Sequence, residues 1–108
     1  MRLKACSSLF LGLAIALSLQ ARADIVVAQS APLTGEAGGT GRGLALGAKV
    51  YFDHVNATEG GVNGQKIVHL VKDDGYQIDK TVSNAKEFIA DPRVVALTGF
   101  YGTDTVTD

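Results

Sequence analysis

The 108-residue sequence predicts an α/β fold, a three-layer β-α-β-α-β unit built on a parallel sheet. Three observations carry this reading. Short apolar runs alternate with stretches whose apolar residues recur at helical spacing. The intervals between the runs are long enough for the crossover helices that parallel strands require. Polar, Gly- and Thr-containing loops follow the first and third runs, at the strand ends where open α/β sheets bind ligands.

The fold is expected to begin after residue 23. Arg2 and Lys4 give a positive start, Leu9 to Leu19 is an uncharged apolar core, and Ala21-Arg22-Ala23 has the small-x-small spacing of a signal-peptidase site. Eleven apolar residues span roughly 16 Å as a helix, about half of a bilayer's hydrocarbon core, so residues 1–23 read as a cleaved signal peptide rather than an anchor. Cys6 precedes the apolar core, so it does not mark a lipidation site, and export would leave residues 24–108 with no cysteine for a disulfide or a metal. Loss of Arg2, Lys4 and Arg22 takes the 10 basic residues to seven against 11 acidic ones, a formal charge of about −4. The seven are scattered singly, which argues against a nucleic-acid partner. Val106-Thr107-Asp108 carries no stop signal, and the chain is expected to be the start of a longer protein.

Ile25 to Ala28 reads as a buried strand, leading into a loop from Gln29 to Gly39. Gly41 to Ala57 reads as a helix with Leu44, Ala48, Tyr51, Phe52 and Val55 on its apolar stripe, and with Gly43 and Gly47 allowing close approach to the sheet. Gly60-Gly61 ends it, and Asn63-Gly64 makes a tight turn. Lys66 to Lys72 is the second strand, with Ile67, Val68, Leu70 and Val71 buried. Asp79 is expected to cap a helix from Lys80 to Ala90 whose stripe is Val82, Ala85, Phe88 and Ile89, stopped by Asp91-Pro92. Val94 to Thr98 is the third strand, apolar on both faces. The first and third strands should lie side by side, with the loops after them opening onto one crevice.

No cofactor is implied. Gly39-Thr40-Gly41-Arg42-Gly43 places Leu44 where a dinucleotide fingerprint needs its third glycine, and counting from Gly41 places Leu46 there. The phosphate-loop pattern fails at Ala48-Lys49-Val50. His54 and His69 are single histidines without a second ligand nearby and read as structural. Asn56-Ala57-Thr58 matches a glycosylation sequon, a short motif that usually occurs by chance. Adjacent Asp73 and Asp74 point to opposite faces of a strand, so they read as braces of the following loop rather than a general-acid pair. No nucleophile elbow is present. The loop from Phe100 to Thr105 suits binding: Tyr101 offers a wall with a hydroxyl, Gly102 lets a ligand approach the backbone, and Thr103 and Thr105 offer hydroxyls. A helix starting near Thr103 would aim free amides at a carboxylate.

Taken together, Ala31-Pro32-Leu33-Thr34-Gly35, Gly41 to Ala57, Gly60 to Ile67, Asp73-Asp74 and Gly99 to Thr103 resemble the N-terminal part of type I periplasmic binding proteins. The branch is the one that includes leucine/isoleucine/valine-binding and amide-sensing members. The resemblance implies the start of lobe 1 of a two-lobe, non-enzymatic receptor, periplasmic and not inserted in the membrane after cleavage. It would deliver an amino acid (branched-chain type) or a similar small polar ligand to the membrane permease of an ABC importer. It implies Thr103 as the hydroxyl that holds the ligand carboxylate, Gly102 and Tyr101 as pocket wall, and Thr40 as a contact from the first loop. The residues that hold the ligand amine, and the second lobe, would lie in segments beyond these, so these residues alone are expected to bind negligibly. An extracellular sensor domain of the same fold is the competing reading, and a downstream transmembrane or kinase segment would mark it. A secreted nucleotide-dependent enzyme is the third, disfavoured by the broken fingerprints.

Overall fold

The computed structural model of the protein describes residues 22–106. The signal-peptide expectation falls almost wholly outside them. The elements run β1 Ile25–Ala31, α1 Gly38–Thr58, β2 Ile67–Asp73, α2 Ile78–Ala90, β3 Val94–Leu97 and a short α3 Thr103–Val106. The three strands form one parallel sheet in the order β2-β1-β3. β1 pairs with β2 from Ile25 opposite Ile67 to Ala31 opposite Asp73, and with β3 from Val26 opposite Val94 to Ala28 opposite Leu97, with one register shift after Val26. The first and third strands are therefore neighbours, as the sequence predicts.

Side-chain alternation along the strands sorts the two long helices onto opposite faces. Phe52 of α1 meets His69 edge-on at 5.3 Å. Lys72, Ser30 and Asn84 connect the other face to α2. The core is centred on β1, where Val26, Ala28 and Ala31 are buried with the polar Gln29 and Ser30. Val55 of α1 and Phe88 of α2 close it from either side.

Several expectations about packing need correction. α1 starts three residues early, at Gly38, and buries Gly38, Gly41 and Val55, while Leu44 and Tyr51 stay exposed. The glycine that admits the close approach is Gly41, where a Cβ would lie 1.8 Å from the Pro32 carbonyl oxygen; a Cβ on Gly43 or Gly47 would meet nothing. The glycine-rich stretch reads as loop because Gly is a poor helix former, but a contact with the β1 exit demands it. α2 begins at Ile78 with Gln77 as cap and no side-chain capping bond, so Asp79 lies in the first turn, where its charge suits the helix dipole. It buries Thr81, Asn84 and Phe88, not Ile89, which is 75% exposed. The four expected residues of β2 are half-buried. Val95 and Leu97 of β3 are exposed, because β3 pairs only with β1 among the described residues.

Turn chemistry follows the sequence closely. Val62 and Gln65 exchange backbone hydrogen bonds of 2.8 and 2.9 Å around Asn63 and Gly64, both at positive φ. That is a tight hairpin turn of the kind Asn-Gly favours. Asn56 has a structural role. Its Nδ2 donates to the Ile67 carbonyl and its Oδ1 accepts from the Ile67 amide, both at 2.8 Å, so it clamps the end of α1 to the start of β2.

Candidate functional site

The carboxyl ends of β1 and β2 and the β3–α3 loop are pinned by three polar side-chain clusters. Asp73, the last residue of β2, reaches back to the β1 exit. Its Oδ1 accepts from the amides of Leu33 at 2.7 Å, Thr34 at 3.3 Å and Gly75 at 2.9 Å, and its Oδ2 accepts from the Thr34 hydroxyl at 2.6 Å. Hydrogen bonding favours the charged form, led by the Thr34 hydroxyl and then the Gly75 and Leu33 amides, and lowers the Asp73 pKa to about 2.

Asp74 is fully buried. It accepts from the Ser30 hydroxyl at 2.7 Å and from the Tyr76 amide at 2.9 Å, and Asn84 of α2 donates to Ser30 Oγ at 3.0 Å. Both aspartates thus brace the loop, as read from the sequence. Gln29 serves the opposite face. Its Nε2 donates to the Gly99 carbonyl at 2.7 Å while its Oε1 faces His69 Nε2 at 2.9 Å. Since the amide nitrogen is spent on Gly99, the oxygen accepts and His69 Nε2 carries the proton. Burial first, then the charge of Lys49, lowers the His69 pKa.

Above these braces lies an open cleft of about 490 Å³, lined by Glu36, Ala37, Thr40, Gly75, Tyr76 and Tyr101. Of the four residues expected to contact a ligand, Thr40 and Tyr101 line it, and Gly102 and Thr103 are not among its lining residues. Thr40 stands in the first turn of α1 rather than in the loop before it. The N-cap of α1, Ala37, also lines the cleft, so the positive end of a 21-residue helix borders it, with acidic Glu36 beside that end. Thr103 opens α3, two residues beyond Tyr101, and is exposed. α3 has only four residues, too few for a useful dipole.

Two residues of the loop act differently from expectation. A Cβ on Gly102 would lie 2.6 Å from Tyr76 Cε2 and 2.6 Å from Thr105 Oγ1, so the open side of Gly102 (φ +117) is filled by the protein's own Tyr76. Thr105 is buried and donates to the carbonyls of Tyr101 at 2.7 Å and Gly102 at 3.1 Å, which commits its hydroxyl to the loop.

Tyr76 and Glu36 are the site residues that the sequence alone does not point to. Tyr76 has φ +62, a left-handed conformation that costs a bulky residue roughly 1–2 kcal/mol. Its ring sits 5.9 Å from that of Tyr101 at 45°. The available signal was the position of Tyr76 just after Asp73-Asp74-Gly75, at the end of a strand adjacent to β1. Among the described residues no cluster of His, Cys, Asp and Glu could hold a metal, and no helix is long and apolar enough to cross a membrane.

A family profile described as periplasmic binding protein matches residues 24–108. A Leu/Ile/Val-binding protein homolog of Brucella melitensis is 33% identical over 91 residues, which cover 84% of this chain and 24% of that protein. A substrate-binding periplasmic protein from Ralstonia solanacearum superposes with a TM-score of 0.74 at 42% identity, over 77% of this chain and 23% of that one. A fatty acid ABC transporter substrate-binding protein from Thermomonospora curvata gives a TM-score of 0.70 at 31% identity, over 77% and 21%. The chain therefore spans about a quarter of the length of these relatives, all of them named as binding proteins rather than enzymes.

Proposed function

The chain belongs to the periplasmic binding protein family, and from that premise we propose that it is the N-terminal part of a periplasmic substrate-binding component of an ABC importer, exported by residues 1–23 and taking an amino acid or a related small carboxylate. The observation that carries this reading is the cleft at the carboxyl end of the sheet. It is the position at which open α/β sheets take ligands. The N-terminal end of α1 and the Thr40 hydroxyl suit a carboxylate there, and the Thr103 hydroxyl, two residues after Tyr101, is proposed to reach the same ligand in the full-length protein. Glu36 on the rim suits the amine of a zwitterion. Relatives named for Leu/Ile/Val and for fatty-acid ligands have the carboxylate in common, which agrees with a site whose fixed part reads that group.

Closure of a second lobe over this cleft would supply the remaining contacts, and the closed form would be the one the membrane permease recognises. The test is isothermal titration of the full-length protein against amino acids and simple carboxylates. Micromolar binding of at least one carboxylate, weakened at least tenfold by Thr103→Val, is expected. Binding that is indifferent to the carboxylate, retained for example by the corresponding amide or alcohol, would overturn the reading.

A further inference from the structure

The cleft contains an aromatic residue in a strained backbone conformation. Tyr76 holds φ +62 although a tyrosine rarely adopts it, and the residue remains 44% exposed while lining the cleft. Strain of this kind persists only where the surroundings over-determine it, and it clusters at functional sites. The surroundings here do over-determine it. The Tyr76 amide is held at 2.9 Å by the fully buried Asp74, which is itself held by Ser30. Gly102, lacking a Cβ, leaves the space that the ring edge occupies, since any side chain would come within 2.6 Å of it. Tyr101 then packs at 5.9 Å with its ring tilted by 45°, so the two rings together line the cleft that Thr40 also lines.

We propose that Tyr76 is a specificity-determining residue of this cleft, and that Tyr76 and Tyr101 together select a small carboxylate carrying a planar ring over one carrying a branched aliphatic group. This rests on the reading that the cleft binds a small carboxylate. Two fixed, tilted aromatic faces reward a flat π-system through offset and edge-to-face contacts, which an aliphatic group of equal area cannot make. The anion would lie toward α1 and the ring toward the tyrosines.

The test measures binding of phenylalanine, 4-hydroxybenzoate, leucine and cyclohexanecarboxylate to the full-length protein and to its Tyr76→Gly and Tyr76→Phe variants. Gly accepts φ +62 without strain, so Tyr76→Gly is expected to keep or raise the melting temperature. Ring-bearing carboxylates should bind the parent at least tenfold more tightly than their aliphatic counterparts. Tyr76→Gly should erase that preference, and Tyr76→Phe should keep it. If the parent prefers leucine, or if a folded Tyr76→Gly binds 4-hydroxybenzoate or phenylalanine as the parent does, the inference fails while carboxylate binding stands. If the parent binds none of these nor any other carboxylate, both readings fall.

Discussion

Asp73 shows how one exposed carboxylate can organise a loop. Four donors converge on it from two loop segments, and their combined preference for the anion holds its pKa at about 2 against an ordinary value of 3.8. The folded pKa is the depressed one. Its stabilising contribution is therefore complete above pH 3.8 and is lost as pH falls through about 2. Asp91 titrates in the same window because the Arg93 side chain holds it, so acid unfolding of the parent reports both. Asp73→Asn isolates one of them. At pH 7 it should cost about 1 kcal/mol, a value discounted for solvent screening, and the difference from the parent should shrink as pH drops from 4 to 2. A constant difference across that range, read by urea titration, would exclude this origin. Asp73 and Asp74 are legible as braces because a carboxylate at a strand end has few other partners. Tyr76 is not, because left-handed backbone at a bulky residue is set by Asp74, Gly75 and Gly102 jointly, and no local propensity announces it.

At the scale of elements, alternation and turn chemistry give the order of strands and helices, and the Asn63-Gly64 turn, from local preferences alone. Which face of a helix is buried depends on what the sheet presents. α1 puts glycines rather than its larger apolar residues against the β1 exit, and α2 buries Thr81 and Asn84, the latter because it donates to Ser30. Periodicity reads apolar size, so it selects Leu44, Tyr51 and Ile89 and misses these contacts. The glycines of α1 separate the two kinds of position. Gly41→Ala should destabilise by about 1–3 kcal/mol, because the new methyl meets backbone that cannot move aside. Gly47→Ala meets nothing and should stabilise by about 0.5–1 kcal/mol through helix propensity. Opposite shifts in the urea midpoint are expected, and shifts of the same sign would contradict the packing described here. Asn56→Ala should cost about 2 kcal/mol by cutting both bonds to Ile67, with the β2 amides exchanging faster.

At the scale of the whole molecule, the sheet order brings three loops to one cleft, and one buried side chain ties two of its strands to the third strand's loop. Gln29, 1% exposed on the central β1, accepts from His69 on the edge strand and donates to Gly99 in the loop that carries Tyr101. Sequence places Gln29 in a loop, since a polar residue after an apolar run reads as its end; only the positions of His69 and Gly99 in space make it a strand residue. Two substitutions separate its roles. Gln29→Leu removes both bonds and should cost about 2 kcal/mol, with amide exchange rising around Gly99 to Tyr101. Gln29→Glu keeps the acceptor and inverts the response to pH. In the parent the His69 pKa is lowered, so the folded state disfavours its protonation, and stability falls as pH drops below the ordinary value of 6.5. Beside a glutamate the same imidazole would have a raised pKa, so its contribution would be complete below that value and lost as pH rises. Between about pH 7.5 and 5.5 the parent should lose stability while Gln29→Glu gains it, provided the ring and the carboxyl face each other as Gln29 and His69 do. Chemical denaturation across that range gives the two slopes. Parallel slopes would mean that His69 and residue 29 do not interact in solution, and that the loop bearing Tyr101 is held by something other than this bridge.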